Sequence, residues 1–532
     1  MALPTDLTPQ TEACAGTPAG RLAVVDVGSN AVRTTIAEFA GAGSGEVAVI
    51  EAHREPVRLG GDVFLTGRVS PQKLDELVVV LTRFRERCDA LGVGRIACIA
   101  TAAVRDAANR DELVARVRDA TGLEVRVVSP SEEARLLTTA VKKKVDLAKG
   151  RSLLVDLGGG SVEVSIVEDG ELVHSDSYRL GALRVLQALE GGRAAATGKT
   201  FLDLVDEYVR SLDDRIRDHL GDDPFDRYVA TGGNVDSIAD LLARESRVTR
   251  RDGVDACRLD DVRDLTARLA ALGFQERMQT YALRPDRADT ILQAAVVYYR
   301  LGRIARVDTV LVPRVGMRDG LLEELVAECA HQTLVAHHRE SLVAACRALG
   351  RRYHADAAHA ETVRSLAVEL FDGTAPLHGL VRADRDLLEA AALLHDIGVF
   401  VANTSHHKHA WYLIRSSDLP GLDDKSREVV AQVARYHRRA HPSRKHAPFD
   451  ELSAAERERV RRLAALLRIA DGLDRSHRGK VTALELSLDA TTLRIRPRAR
   501  EDLALERLGL AEKCGLFETV FCRKVVLEDP TS

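Results

Sequence analysis

The sequence carries one short pattern twice, as V-V-D-V-G-S-N at Val24–Asn30 and as L-V-D-L-G-G-G at Leu154–Gly160. Each copy is an apolar run that predicts a β-strand, followed by an aspartate and a turn that contains glycine. A third turn, A-T-G-G-N, follows the strand predicted at Tyr228–Ala230. The wide separation of the two copies indicates a duplicated domain rather than a solenoid, whose repeats are roughly 20–50 residues long.

The sequence around these turns alternates predicted strands with amphipathic helices, which is typical of layered α/β domains. The predicted strands are Leu22–Val27, Arg95–Ala100, Glu124–Val128, Ser152–Leu157, Val162–Glu168 and Tyr228–Ala230. The predicted helices of the same region include Pro71–Leu91, Arg110–Thr121 and Ser131–Leu147. From about Val326 to Ile469 the pattern is helical, with leucine and alanine at spacings of three and four.

We therefore expect a flexible tail, two α/β domains, a helical domain and a small terminal segment. The predicted boundaries are residues 1–20 for the tail, 21–148 and 149–328 for the α/β domains, 329–480 for the helical domain, and 481–532 for an α+β segment. A chain of 532 residues is too long for one hydrophobic core.

Composition excludes several classes of protein. Apolar residues at 45% and charged residues at 29% are typical of a globular protein, and a net charge of −4 does not favour specific nucleic-acid binding. The eight cysteines form no C-x-x-C pair, which favours a reducing, cytoplasmic location. The first twenty residues do not resemble a secretory signal, and the sequence contains no run long and apolar enough to span a membrane.

The glycine- and serine-containing turns are candidate phosphate sites. Such turns expose backbone N–H groups and let an anion approach closely, since glycine has no Cβ. The candidate phosphate-binding residues are Gly28, Ser29, Asn30, Gly158, Gly159, Gly160, Ser161, Gly232 and Gly233. Asp26 and Asp156, which end the two strands, are candidate ligands for the Mg²⁺ or Mn²⁺ that phosphate chemistry requires.

Five motifs together resemble one enzyme family. They are Val24–Arg33, Ile99–Ala107, Val128–Leu137, Leu154–Glu163 and Arg318–Leu325. Their order is similar to that in exopolyphosphatases and guanosine pentaphosphatases, the Ppx/GppA family. The resemblance covers roughly residues 21–325 and implies duplicated actin-like (ribonuclease H-like) domains of the ATPase superfamily. The sequence departs from the family pattern at two positions where the family usually carries a hydroxyl group. Val162 replaces a threonine, and Asn234 replaces the hydroxyl residue of the third turn.

The resemblance also implies roles for three residues. Glu133 matches the proposed general base, Arg105 matches a phosphate-binding arginine, and Glu163 would assist the metal or the attacking water. Each also has a simpler interpretation. Acidic residues are common in the first turn of a helix, where Glu133 lies, and Arg105 and Glu163 could be ordinary surface side chains.

Fourteen of the seventeen histidines lie between His331 and His477. His359, His395-Asp396 and Asp471 follow the order H…HD…D, which resembles the HD phosphohydrolase superfamily. Imidazole and carboxylate ligands suit a first-row divalent metal, so we expect a second metal, of the transition series, in this HD-like domain. His407 or His409, together with His437, would complete a two-metal site. The alternative is a helical domain whose histidines are surface residues.

The leading hypothesis is a Mg-dependent hydrolase that releases terminal phosphate from inorganic polyphosphate, from guanosine pentaphosphate (pppGpp), or from both. Residues 435–446 form a basic run that could bind a long polyanion, which would favour polyphosphate as the substrate. The alternative is that this run is a solvated helix end and loop. An actin-fold ATPase or kinase would share the phosphate turns, and a non-catalytic polyphosphate or alarmone regulator would share the charge. The family resemblance implies a homodimer, and no membrane partner is expected.

Overall fold

The first copy of the repeated pattern begins a five-stranded sheet. In the computed structural model, which describes residues 20–39, 47–190, 201–211, 213–329, 334–499 and 501–530, these strands are β1 (Gly20–Val27), β2 (Val32–Phe39), β3 (Val47–Glu55), β4 (Val93–Ala100) and β5 (Val125–Val127). The helices of this part are α1 (Leu59–Thr66), α2 (Pro71–Ala90), α3 (Ala102–Asp106), α4 (Arg110–Thr121) and α5 (Pro130–Lys142). The predicted tail, up to residue 19, lies outside the described residues.

The second copy begins a seven-stranded sheet. Its strands are β6 (Arg151–Leu157), β7 (Val162–Glu168), β8 (Glu171–Tyr178), β9 (Arg227–Thr231), β10 (Val248–Arg251), β11 (Val254–Arg258) and β12 (Thr309–Val312). The helices are α6 (Ala182–Glu190), α7 (Phe201–Arg210), α8 (Asp213–Leu220), α9 (Gly233–Arg244), α10 (Leu259–Ala270), α11 (Phe274–Tyr281), α12 (Pro285–Ala288), α13 (Ile291–Ile304) and α14 (Met317–Cys329).

The two sheets share one topology. The first has the strand order β3-β2-β1-β4-β5, and five strands of the second follow the same plan as β8-β7-β6-β9-β12, with β11 and β10 added at the edge. In both sheets an antiparallel hairpin (β1–β2, β6–β7) is joined to a parallel neighbour (β4, β9). The prediction of a mixed α/β fold, built from a duplicated domain and followed by a helical region, is confirmed.

Local sequence explains how the helices near the turns begin. Ser70 and Ser129 cap α2 and α5, each accepting a hydrogen bond from the amide three residues ahead, at 3.3 and 3.2 Å. Proline follows each serine at the first helical position, where its missing N–H costs nothing. The capping serine of α5 therefore places Glu132 and Glu133 in the first turn. This helix ends at Lys142, before the predicted end at Leu147.

The chain divides into two compact units, residues 1–335 and 336–532. The second unit is helical around one apolar core and closes with a small sheet. Its helices are α15 (Leu334–Arg352), α16 (Ala357–Gly373), α17 (Ala375–His378), α18 (Arg382–Leu394), α19 (His406–Arg415), α20 (Asp424–Arg435), α21 (Ala447–Asp450), α22 (Ala454–Gly472), α23 (Ala504–Lys513) and α24 (Gly515–Phe521), with a 3₁₀ turn at Ile397–Phe400. Its strands are β13 (Ala483–Leu488), β14 (Thr492–Arg498) and β15 (Lys524–Leu527).

Within the described ranges, no helix combines the length and the apolar character needed to cross a membrane.

Candidate active site

The two repeated turns contact each other. Each is closed by the same backbone hydrogen bond, from Gly28 N–H to the Ala31 carbonyl (3.1 Å) and from Gly158 N–H to the Ser161 carbonyl (3.0 Å). A Cβ added at Gly159 would lie 3.2 Å from the Ser29 Cβ, which is tighter than ordinary van der Waals contact. The sequence predicted both turns, and the glycine at position 159 permits them to approach each other closely.

The third turn joins the same site at the carboxyl end of β9. Gly232 has a φ of 105°, in the region that favours glycine, and a Cβ there would lie 2.7 Å from the Leu157 carbonyl oxygen. The next residue, Gly233, begins α9. The structure thus brings together all three turns: β6 and β9 are parallel neighbours, so their carboxyl ends lie side by side, and the first turn packs against the second at Gly159.

These turns line a cavity of about 370 Å³. Of the predicted residues it contains Asp26, Gly28, Ser29, Asn30, Glu133, Asp156, Gly158, Gly159, Gly160, Ser161, Glu163, Gly232 and Gly233. Arg105 is not part of the cavity lining, and it lies beside Glu133 instead. The cavity is strongly charged, with acidic residues near the turns and arginines around them.

Asp26 is buried at the end of β1, and Asp156 is half-buried at the end of β6. Burial raises the pKa of both carboxyls, and Arg33, 3.3 Å from Asp26, partly offsets this. Thr231 Oγ1 donates to Asp156 Oδ1 at 2.7 Å, whereas Asp26 Oδ1 is buried and accepts no hydrogen bond from any described residue. A buried carboxylate oxygen without a donor is suited to a hard cation such as Mg²⁺.

Glu133 is buried and forms an ion pair with Arg105. Burial raises the pKa of Glu133 well above its ordinary value, the charge of Glu163 raises it further, and Arg105 lowers it. Arg105 also donates to the Val128 carbonyl at 2.8 Å, which fixes the guanidinium in position. A carboxyl with a raised pKa, held in a polar cavity, has the properties of a general base.

The neighbouring Glu132 has a different environment. Burial would raise its pKa, but Arg135 and Arg126 lower the pKa to about 2. Arg135 donates two hydrogen bonds to the Glu132 carboxylate, both 2.9 Å long. Glu132 is therefore a permanently charged structural residue of α5, and only the second glutamate of the pair faces the cavity.

Glu163 on β7 lies behind the second turn. Its Oε1 accepts hydrogen bonds from Ser161 Oγ (2.5 Å) and Ser177 Oγ (3.1 Å). Burial raises the pKa of Glu163 to about 7, the charge of Asp156 adds to this, and Ser161 opposes it. The structure places Glu163 in the cavity, so it is not an exposed strand residue.

The two departures from the family pattern have structural explanations. Val162 is fully buried in the apolar core of the second sheet, where a hydroxyl would need a partner. Asn234 Oδ1 accepts from Arg287 Nη1 at 3.1 Å and from Thr290 Oγ1 at 3.3 Å. Asn234 thereby orients an arginine that lines the cavity.

Sequence reasoning missed the arginines of this cavity. Six arginines contribute to its lining: Arg33, Arg54, Arg284, Arg287, Arg314 and Arg318. Arg33 and Arg318 belong to motifs that the family resemblance rests on, so these two arginines could have been predicted as site residues. The other four come from segments without a motif, and only the fold brings them to the turns.

The second unit gathers His359, His395, Asp396 and Asp471. His359 Nε2 lies 3.3 Å from His395 Nε2 and 3.7 Å from Asp471 Oδ1, and His395 Nε2 lies 3.8 Å from Asp396 Oδ2. The predicted convergence of these four residues is therefore observed. His406, and not His407 or His409, lies beside Asp396 together with His437.

The basic run does not form one exposed track. The Arg435 guanidinium lies over Trp411, with 5.4 Å to the ring centroid, Arg438 contacts His406, and Arg444 pairs with Asp450 at 2.7 Å. These contacts engage three of its cations within the second unit.

Comparisons with known proteins match most of the chain to one family of phosphatases. Residues 37–328 match the Ppx/GppA phosphatase family, and residues 343–512 match domain III of Ppx/GppA phosphatases. Two curated relatives are named guanosine-5'-triphosphate,3'-diphosphate pyrophosphatase. The protein from Aeromonas hydrophila is 25% identical over 459 residues, covering 84% of this chain and 86% of the relative. The protein from Aliivibrio fischeri is 24% identical over 494 residues, covering 91% and 95%.

A solved structure shares the fold of the front part. The exopolyphosphatase from Cytophaga hutchinsonii has a TM-score of 0.52 and 20% identity, covering 58% of this chain and 98% of its own. At this identity the likeness supports the fold alone.

Proposed function

Because the chain belongs to the Ppx/GppA phosphatase family, we propose that it hydrolyses the terminal phosphoanhydride bond of inorganic polyphosphate or of guanosine pentaphosphate, with Glu133 as the general base. The observation that carries this proposal is the position of Glu133, a buried carboxyl with a raised pKa in a cavity lined by the three glycine-containing turns. A carboxylate that accepts a proton from water beside a bound phosphate activates that water as the nucleophile.

The turns and arginines would bind the terminal phosphates. Backbone N–H groups of the glycine turns and arginine side chains both complement phosphoryl oxygens. They also stabilise the charge that spreads over these oxygens during phosphoryl transfer. Arg105, paired with Glu133, orients the base. When the terminal bond breaks, the proton taken from water resides on Glu133 and the shortened chain leaves with its own charge.

Asp26 and Asp156 would hold Mg²⁺ or Mn²⁺. The buried Asp26 oxygen without a donor and the two carboxyls with raised pKa values fit this assignment, since a cation would offset the cost of charging both. A divalent ion bound there would neutralise negative charge on the substrate phosphates.

The lining favours recognition of phosphates rather than of a base. Six arginines line the cavity, and no aromatic residue does so among the described residues. Proteins that recognise a guanine or adenine base often stack it on an aromatic side chain, whereas the arginine guanidinium also pairs with phosphoryl oxygens. We therefore infer that the cavity recognises the end of a phosphate chain, a feature that polyphosphate and guanosine pentaphosphate share.

Phosphate release from three substrates tests this proposal. With Mg²⁺, long-chain polyphosphate, guanosine pentaphosphate or both should have a kcat/KM at least about tenfold above that of ATP, because each carries more phosphates than ATP for the arginines of the cavity to bind. A tenfold ratio corresponds to about 1.4 kcal/mol in transition-state binding. ATP turnover equal to or faster than both would favour an actin-fold ATPase. Binding of polyphosphate without any release would favour a non-catalytic regulator, although the buried carboxyls Glu133 and Glu163 argue against one.

We also propose that the second unit binds a transition metal through His359, His395, Asp396 and Asp471. The short distances between their nitrogen and oxygen atoms support this, as does the preference of first-row metals for imidazole and carboxylate. Three further points stay predictions: the HD type of the domain, from the order of its histidines and aspartates, the homodimer, from the family resemblance, and the cytoplasmic location, from the cysteine pattern.

A further inference from the structure

Two histidines and an aspartate meet at the edge of the seven-stranded sheet, outside the two sites described above. His174 and Asp176 lie on β8, the edge strand, and His219 lies in α8. The ring centroids of His174 and His219 are 3.6 Å apart, and His219 Nδ1 lies 2.6 Å from Asp176 Oδ2. One candidate ligand atom from each of the three side chains lies within 4.8 Å of those of the other two.

Local structure explains why these side chains converge. His174 and Asp176 are two residues apart in a strand, so their side chains point to the same face of the sheet. Their cross-strand partners in β7 belong to the apolar core, which identifies this face as the one that packs against helices. His219 follows Ile216, a residue of the same core, by three positions and therefore lies on the same face of α8. The sheet and the helix thus direct all three side chains toward each other.

This cluster is separate from the candidate active site. Neighbouring side chains of a strand point to opposite faces of the sheet. Ser177, which follows Asp176, points to the face on which it donates a hydrogen bond to Glu163 at 3.1 Å. His174 and Asp176 therefore lie on the opposite face of β8 from Glu163, and the cluster has no role in the phosphate chemistry proposed above.

The bonding of His219 shows what the cluster lacks. Its side chain is only 6% exposed, and its Nε2 is buried with no hydrogen-bond partner among the described residues. In a neutral ring, Nδ1 carries the proton that Asp176 accepts, and Nε2 has a buried lone pair. In a protonated ring, Nε2–H is a buried donor without an acceptor, which costs stability. The contact with Asp176 therefore satisfies only one of the two ring nitrogens, and a metal ion would satisfy the other.

The corresponding strand of the first sheet offers a contrast. β3 occupies the place in its sheet that β8 occupies among the shared strands of the second, and it also carries a histidine two residues from an acid. His53 Nε2 lies 3.3 Å from Glu51 Oε2, but the His53 side chain is 59% exposed. Among the described residues, His53 belongs to no cluster of metal-ligating side chains. Burial and a second imidazole therefore distinguish the group on β8 from an ordinary surface pair.

We propose that His174, Asp176 and His219 bind one Zn²⁺ ion, or a similar first-row divalent ion, between β8 and α8. Two imidazoles and a carboxylate are a usual ligand set for such ions. Two nitrogens bound to one Zn²⁺ at about 2.0–2.1 Å with a tetrahedral angle are about 3.4 Å apart, so small side-chain rotations bring the three groups onto one ion.

The surroundings of the cluster fit a bound cation. Asp176 supplies negative charge, and its side chain is 45% exposed, so an ion can enter from solvent and water can complete its coordination. The ion would join α8 to the edge strand of the sheet. Because the two elements come together only in the folded chain, its binding would stabilise this fold.

Zinc binding by the full chain tests the proposal. The protein is stripped with chelator, loaded with Zn²⁺ in excess Mg²⁺, which competes for the oxygen-rich front site, and desalted. Elemental analysis should find about one more Zn²⁺ per chain in the wild type than in the His174→Ala/His219→Ala variant. Zinc held by the second unit is common to both proteins, so the difference between them reports this cluster alone.

His53→Ala is the matched control, because it removes a histidine that contacts an acid on the equivalent strand. It should bind as much zinc as the wild type. Asp176→Asn, which keeps the size of the side chain, serves as a second variant if the double variant does not fold. It should weaken binding of the additional ion at least about tenfold, as loss of a carboxylate partner usually does.

Two results would overturn the proposal. Equal zinc content in the wild type and in the variants of the cluster would show that His219 and Asp176 form an ion pair only. An equal loss of zinc from His53→Ala would show that exposed histidines, and not a built site, bind the ion.

Discussion

Glu133→Gln should lower kcat for phosphate release by about 10²–10⁴-fold, the usual contribution of a general base. The amide keeps the size of the side chain and a hydrogen-bond acceptor, but it cannot take a proton from water. Polyphosphate affinity should stay within a few-fold of the wild-type value, because the three turns and the arginines of the cavity are unchanged. Steady-state phosphate release and equilibrium binding of polyphosphate to the same preparation measure the two effects.

Glu132→Gln is the matched control for this experiment. Glu132 is adjacent in the chain and also buried, but its carboxylate is bound by Arg135 and Arg126. Its substitution should lower the thermal unfolding midpoint and leave kcat nearly unchanged, since hydrogen bonds to charged groups contribute about 1.5–3 kcal/mol to stability. A Glu133→Gln enzyme within threefold of wild-type kcat would remove Glu133 from the mechanism.

Asp156→Asn should reduce kcat/KM by about 10²–10³-fold and raise the Mg²⁺ concentration needed for half-maximal activity. A metal ion at this site is expected to supply several kcal/mol of charge stabilisation, and a loss of about 1.4 kcal/mol lowers the rate about tenfold. The amide weakens cation binding while it keeps the contact with Thr231. Phosphate release measured over a Mg²⁺ titration gives both quantities.

Asp222→Asn is the control for charge removal, because Asp222 is exposed in the same unit. It should behave as the wild type does over the whole titration. Full activity of the wild-type enzyme in excess chelator would contradict the metal assignment of Asp26 and Asp156.

The fold was largely predictable, because its strands and helices are determined by short, local sequence patterns. The predicted strand at Ser152–Leu157 lies within β6, the predicted strand Val162–Glu168 is β7, and the predicted helix Arg110–Thr121 is α4. Apolar runs and capping residues determine these elements, and both can be read from the sequence. The repeated V-V-D-V-G-S-N pattern indicated the duplication, which the shared strand order of the two sheets reproduces.

The site was only partly predictable. The turns and Glu133 were found through motifs, but Arg54, Arg284 and Arg287 reach the cavity only through tertiary packing. Arg54, for example, is positioned by an ion pair with Asp286, which lies in a distant segment of the sequence. Long-range contacts of this kind leave no local signal.

The histidine cluster of the second unit, the metal site proposed above, shows the same limit at finer scale. Three histidines, at positions 406, 407 and 409, lie close together in the chain, and sequence spacing alone did not separate them. Only the direction of each ring does so: His406 Nε2 faces Asp396 at 3.2 Å, whereas among the described residues no ion pair joins His407 or His409 to this carboxylate. The start of α19 at His406 determines these directions.

Hydrolysis in ¹⁸O-labelled water is the most direct test of the central claim, that water attacks the terminal phosphorus of the phosphate chain. Attack there breaks the bond between the terminal phosphorus and the bridging oxygen, which leaves with the shortened chain. Mass spectrometry should therefore find one solvent oxygen in each released phosphate and none in the remaining polyphosphate. Solvent oxygen in the remaining polymer, or released phosphate without it, would contradict the mechanism.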